Sequence, residues 1–284
     1  AEPSALPTIL SRQDTPEFSG WRDMIEQSLK CFANGEMEKI VLARKTTIKF
    51  DRHLQPFVFM RHLRRDISRA FHFYFQPCAN CGFIGATPER LYKRTGRTIE
   101  TEAVAGTRPR SAAVEEDERL GNELLNSEKD AREHDYVRQT IRQVITDLCD
   151  QIEANGEVTL LKLSRVQHLY NRFKARLLEG CSDAEILQQL HPTPAVGGVP
   201  KAAAVQKIAM LEPFDRGWYT GPVGWVSRNG AEFAVALRCG LIEGDRLHVF
   251  TGAGIVQGSD PESEWAEIED KLASFLSVTS KNGR

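Results

Sequence analysis

The stretch AEFAVALRCGLIEGDRLHVFTGAGIVQGSDPESEWAEIEDK (231–271) decides the fold. Residues 231–242 and 246–256 are rich in β-branched and aromatic side chains and read as two strands. Glu243-Gly244-Asp245 between them is hairpin chemistry. Asp260-Pro261 then opens a helix, with Asp as N-cap and Pro at the first helical position. The core line of that helix is Trp265, Ile268, Leu272 and Phe275. An antiparallel pair running straight into a helix is not the alternation of a doubly wound parallel sheet.

The rest of the chain extends this pattern. Trp21 to Phe32 carries apolar residues at helical spacing and stops at Asn34-Gly35. Lys39 to Phe50 is a β-branched strand, and a helix is expected within 56–69. Strands are expected at 71–76, 81–86, 98–105 and 158–167. Helices are expected at 115–125, 128–153, 183–190 and 201–210. HPTPAVGG (191–198) is a loop, because its prolines and paired glycines break regular structure. The fold class is therefore α+β, with largely antiparallel sheets flanked by helices. Residues 1–17, rich in Pro, Ser and Thr, read as a lead-in, and 18–280 as one domain.

Composition narrows the function. The 284 residues carry a formal net charge of -2, so bulk charge gives no reason to expect nucleic acid or an acidic membrane surface as partner. No apolar run approaches the roughly 20 residues of a membrane span. No secretory signal is visible in residues 1–15. The expectation is a cytoplasmic protein, monomeric by default. Of the six cysteines only Cys78 and Cys81 are close together, with no second pair to complete a zinc site. Free thiols in a reducing compartment are expected.

Acidic side chains face inward where they should not. On the helix from 128, the stripe Val137, Ile141, Val144 and Leu148 runs back onto Glu133 and Asp130. A buried carboxylate is costly unless it is paired or bound to a cation. On the last helix, Glu264, Glu267 and Lys271 fall within roughly 60° of one another beside the core line. Two such pairs make an oxygen-rich set, which suits magnesium (Mg2+) better than zinc. Read alone, each pair is a solvated helix face before it is a ligand set. Gly252 and Gly254 in TGAGIV, and Gly106 in GTRPR, either open backbone N–H groups to an anion or simply make turns. Lys39 either snorkels to solvent or, held in a cleft, becomes a base. Glu89 in ATPER is a surface turn residue or, in a cleft, a general acid.

Eight segments in order settle these alternatives by resemblance: EKIVLARK (38–45), FIGATPERLY (83–92), AVAGTRPR (103–110), LLNSEKDAREHDYV (124–137), HPTPAVGG (191–198), GPVGW (221–225), FAVALRCG (233–240) and FTGAGIVQGSDPESEWAEIEDK (250–271). Together they resemble the chorismate-utilising enzymes, a family that includes isochorismate synthase, salicylate synthase and anthranilate synthase component I. The resemblance implies the chorismate-binding, anthranilate synthase component I-like fold. It implies that Glu133 and Glu267 hold magnesium directly, with Asp130 and Glu264 behind them. It implies that Gly106, Thr107, Gly252, Arg238 and Lys271 hold chorismate and that His168 and Ala195 line the ring pocket. Within the family, Lys39 as general base and Glu89 as general acid look most like an isochorismate synthase, which needs no glutaminase subunit. Salicylate synthase, with the same site, and an inactive truncated chorismate-binding domain are the alternatives. Complete isochorismate synthases usually carry a further N-terminal region, and its absence here is expected to lower stability or leave a sheet edge open without touching the named site residues. The use of the product, in menaquinone, siderophore or salicylate synthesis, is left open.

Overall fold

The computed structural model describes residues 5–67, 70–155, 157–163 and 166–279. The first half of the chain runs β1 (Ile9–Thr15), α1 (Phe18–Ala33), β2 (Lys39–Phe50), α2 (Pro56–Asp66), β3 (Phe71–Cys78), β4 (Cys81–Thr87), β5 (Arg90–Thr95) and β6 (Thr98–Pro109). It continues through α3 (Val114–Leu125), α4 (Glu128–Leu148), β7 (Cys149–Asn155), β8 (Thr159–Lys162), β9 (Val166–Leu177), α5 (Asp183–Leu190) and β10 (Gly198–Val199). The last part is α6 (Lys201–Leu211), β11 (Pro222–Val226), β12 (Gly230–Val235), β13 (Cys239–Glu243), β14 (Arg246–Val256) and α7 (Pro261–Leu276).

The strands form two seven-stranded sheets. One has the order β1-β2-β14-β13-β4-β3 with β10 on β2, the other β11-β12-β5-β6-β9-β7 with β8 on β9. Every strand pair among the described residues is antiparallel. The α+β architecture expected from the sequence is present, with helices packed on both sheets. Helices α1, α6 and α7 cover β2 and β14 through Trp21, Ile25, Ile208 and Ile268 against Ile40, Leu42, Ala253 and Ile255. Helices α4 and α5 cover the second sheet through Val137, Ile141 and Ile186 against Ile99, Phe173 and Ala175. Such apolar faces, more than local propensity, hold these helices in place.

Strand β2 is buried on both sides from Lys39 to Arg44. Side chains alternate along a strand. Ile40 and Leu42 therefore face the helices, while Lys39, Val41 and Ala43 face the opposite way. That alternation turns the lysine inward.

Four expectations change. The run 231–242 is not one strand. It breaks at 236–238, and its halves, β12 and β13, belong to different sheets. Arg238 at the break has φ 46°, which a continuous strand cannot contain. The helix from 128 ends at Leu148 instead of 153, because residues 149–155 pair with β9 once the apolar stripe is exhausted. The stretch read as lead-in contains β1, which pairs with β2 along 9–15. Cys78 and Cys81, expected as free thiols, are joined in a disulfide. They face each other at the end of the β3–β4 hairpin with Cα atoms 5.3 Å apart, a separation a disulfide spans. The sequence reading weighed the compartment and not the register. Cys31, Cys149, Cys181 and Cys239 are free.

Candidate active site

Two crossings between the sheets build the site. The chain leaves β4 for β5 through Pro88-Glu89 and leaves β12 for β13 through residues 236–238. The corners are stitched together. Val235 N–H donates to Glu89 C=O at 3.0 Å and Ala86 N–H to Arg238 C=O at 3.1 Å. Thr87 Oγ1 donates to Val235 C=O at 2.6 Å. Glu89 and Arg238 are thereby presented to one pocket between the sheets.

That pocket is lined by ten of the residues singled out from sequence: Glu89, Gly106, Thr107, Glu133, His168, Ala195, Arg238, Gly252, Glu267 and Lys271. Lys39 lies just behind its wall. It is fully buried, and its Nζ donates to Glu133 Oε1 at 3.0 Å. Ala195 is held by its loop. Val41 N–H donates to Gly197 C=O at 2.7 Å, and Arg216 Nη1 to Val196 C=O at 2.9 Å. Gly252 and Gly254 sit opposite Ala43 and Val41, so β14 turns bare Cα atoms toward the pocket. Gly106 has φ 66°, which glycine adopts without cost.

The electrostatics divide the residues. Burial pushes the Glu89 carboxyl up to about 7, against the pull of the Lys39 charge and with a further push from Glu102. His168 is brought down to about 4, chiefly by burial, so its ring is neutral at pH 7. Its Nδ1 donates to Gly106 C=O at 2.9 Å, which leaves Nε2 as an acceptor with no partner among the described residues. Burial works against the charged form of Glu267, but Lys271 prevails and holds its pKa below the ordinary value. Lys271 Nζ donates to Glu267 Oε1 at 2.6 Å and to Gly252 C=O at 2.8 Å. Among the described residues the Arg238 guanidinium has neither a hydrogen bond nor an ion pair. An unpaired guanidinium in a half-buried pocket is a receptor for an anion.

The four acids do not close into one cage. Glu133 and Glu267 line the pocket, whereas Asp130 and Glu264 are turned into ion pairs behind it. Asp130 accepts from Arg108 at 2.9 Å, and Glu264, only 1% exposed, accepts from Lys129 at 2.6 Å. No group of three Asp, Glu, His or Cys side chains converges on one point among the described residues. The donor chemistry still fits a hard cation. The two pocket carboxylates are all-oxygen donors, each paired with a lysine, Glu133 with Lys39 and Glu267 with Lys271.

Sequence reasoning missed Tyr219. It is buried, stacks on Phe250 with ring centroids 5.3 Å apart, and lines the pocket. Its segment RGWYT has no periodicity that would mark it. Leu237, at the sheet crossing, was hidden by the reading of 231–242 as one strand.

Comparison with known proteins agrees with this geometry. The isochorismate synthase MenF of Bacillus subtilis (strain 168) is 39% identical over 271 residues, covering 95% of this chain and 57% of the relative. The Haemophilus influenzae isochorismate synthase MenF is 39% identical over 258 residues, covering 91% of this chain and 60% of the relative. The solved structure of the menaquinone-specific isochorismate synthase MenF of Escherichia coli superposes with a TM-score of 0.89 at 36% identity, covering 97% of this chain and 64% of that one. The chain thus spans about 60% of the length of these relatives. The family model described as "Chorismate binding enzyme" matches residues 1–280, nearly the whole chain. With the two-sheet fold and a pocket that gathers the expected residues, this chain belongs to the chorismate-binding enzyme family.

Proposed function

We propose that the chain converts chorismate to isochorismate with magnesium as cofactor. The observation that carries this reading is that Glu89 lines the pocket while Lys39, buried just behind its wall, reaches Glu133 on that same pocket at 3.0 Å. A water nucleophile needs a base and a departing hydroxyl needs an acid. With Lys39 in its neutral form, Nζ takes a proton from a water whose oxygen bonds to C2 of the ring. The ring double bonds shift, the C4–O bond breaks, and the Glu89 proton leaves with the hydroxyl as water. Lys39 ends protonated and Glu89 ionised, and return of one proton restores the pair. Arg238 and Lys271 bind the substrate carboxylates, aided by backbone N–H groups at Gly106, Thr107 and Gly252. His168 Nε2 accepts from a ring hydroxyl, and Ala195 packs on the ring. Glu133 and Glu267 would hold the magnesium ion, with Asp130 and Glu264 as outer support. When bound, that ion supplies neutralising charge for the ring carboxylate.

The same reading takes the enzyme as a cytosolic monomer that works without a glutaminase subunit, since water and not ammonia is the nucleophile Lys39 serves. No helix among the described residues is long and apolar enough to cross a membrane. The decisive assay incubates the protein with chorismate, with and without magnesium, and separates the products by chromatography. Isochorismate formed only with magnesium and without ammonia is expected. Salicylate appearing with no added lyase would overturn the product assignment, and chorismate binding without turnover would overturn the activity.

A pH profile tests the acid separately. The Glu89 pKa is raised, so the proton it must deliver is present below about 7 and lost above it. The value of kcat/KM, which reports the free enzyme, is expected to fall as pH rises through about 7. Glu89→Gln should lower the rate and remove that limb. A limb that persists in the variant would take Glu89 out of the acid role.

A further inference from the structure

Gly254 is where the two halves of the site touch. It lies on β14 opposite Val41 of β2 and lines the pocket. A β-carbon built on it would stand 2.3 Å from Glu133 Oε1, 3.1 Å from Glu133 Cδ and 3.2 Å from Lys39 Cε. The three nearest atoms are all side-chain atoms, and they belong to the two residues that form the 3.0 Å ion pair. The backbone does not demand glycine here, because Gly254 is not among the positive-φ residues. The space does. Gly252, two residues back on the same face, differs in kind: a β-carbon there meets Leu42 C=O at 2.8 Å, so the strand pairing itself forbids it.

We infer that Gly254 is a positioning residue whose missing side chain provides the room in which Glu133 of α4 reaches Lys39 of β2. The inference rests on the roles given to Lys39 and Glu133 above. Alanine at 254 keeps the backbone N–H and C=O and adds one methyl. That methyl takes the volume of the Glu133 carboxylate, and the parts free to move are the ends of Glu133 and Lys39. Glu133 is turned off Lys39, and the site loses the register between the helix that carries the acid and the strand that carries the base. Interiors are packed closely enough for one methyl to be felt.

The test is a double-mutant cycle on the full chain. Gly254→Ala alone is expected to cost about a hundredfold in chorismate turnover, the scale of a misplacement near 1 Å, and to lower Tm. In a Glu133→Ala background the same change should leave Tm where Glu133→Ala put it, because the obstructing oxygen has gone. In a Glu133→Asp background, whose carboxylate is one methylene shorter, adding Gly254→Ala should leave turnover within about twofold of Glu133→Asp alone. Manganese binding followed by electron paramagnetic resonance reads the Glu133 position without turnover, and Gly254→Ala should weaken it. A Tm loss that is the same with and without Glu133, or wild-type turnover and manganese binding in Gly254→Ala, overturns the inference. If Gly254→Ala alone does not fold, Gly254→Ala/Glu133→Ala must, and failure of both also overturns it. Stability coupling in a protein that makes no isochorismate would refute the proposed reaction and leave the spatial role of Gly254 standing.

Discussion

Lys39→Ala will bind chorismate and fail to turn it over, with a loss of about 10²–10⁴-fold, the range over which a positioned general base contributes. The expectation follows from where the side chain is. Lys39 is fully buried on the inward face of β2 and reaches Glu133 Oε1 at 3.0 Å. It does not reach the surface, so a solvating role is closed to it. Arg238 and Lys271, which face the same pocket, remain to hold the substrate carboxylates. The loss should therefore appear in kcat while chorismate affinity, read by calorimetry, changes little. Circular dichroism should show an unchanged fold, since β2 is anchored by β1 and β14 on either side and by β10 near its start. Substantial residual isochorismate formation would remove Lys39 from the chemistry.

Glu267→Ala will weaken magnesium and chorismate together. Glu267 lines the pocket from α7 and holds Lys271 at 2.6 Å. Its removal takes one of the two pocket carboxylates from the cation and frees a lysine that shares the site. Changing even a partner that supports a metal ligand costs about 10–100-fold in affinity, so a loss of at least that size is expected for the ligand itself. Magnesium titrations of activity and of direct binding should shift in parallel, with a rise in KM for chorismate. An unchanged metal titration would show that Glu267 does not hold the ion.

The elements most legible in the sequence were those whose local signals agree. Asp260-Pro261 opened α7 where expected, with the Asp260 side chain accepting from Ser263 N–H. Gly244, at φ 63°, turned the β13–β14 hairpin. The inward line of Asp130 and Glu133 on α4 was visible because a helix has a fixed period. Asp130 is buried there, and Glu133 reaches the pocket. Less legible was anything that depends on which sheet a residue joins. A strand signal reports burial and alternation and not the partner, so 231–242 read as one strand although it serves two sheets. The same limit hid Tyr219, whose ring stacks on Phe250, a residue distant along the chain.

Taken alone, the amino-acid order determined most of the element types, the inward carboxylates and, through eight ordered segments, the family. It did so because hydrophobic period, caps and turn residues act over a few positions. Only the tertiary structure decided which charges meet. It paired Glu133 with Lys39, sent Asp130 to Arg108 and Glu264 to Lys129, and left Arg238 without a partner among the described residues, at a crossing between sheets. Those outcomes depend on distances between segments 22 to 135 residues apart in sequence, which local pattern does not encode and which packing of the two sheets imposes.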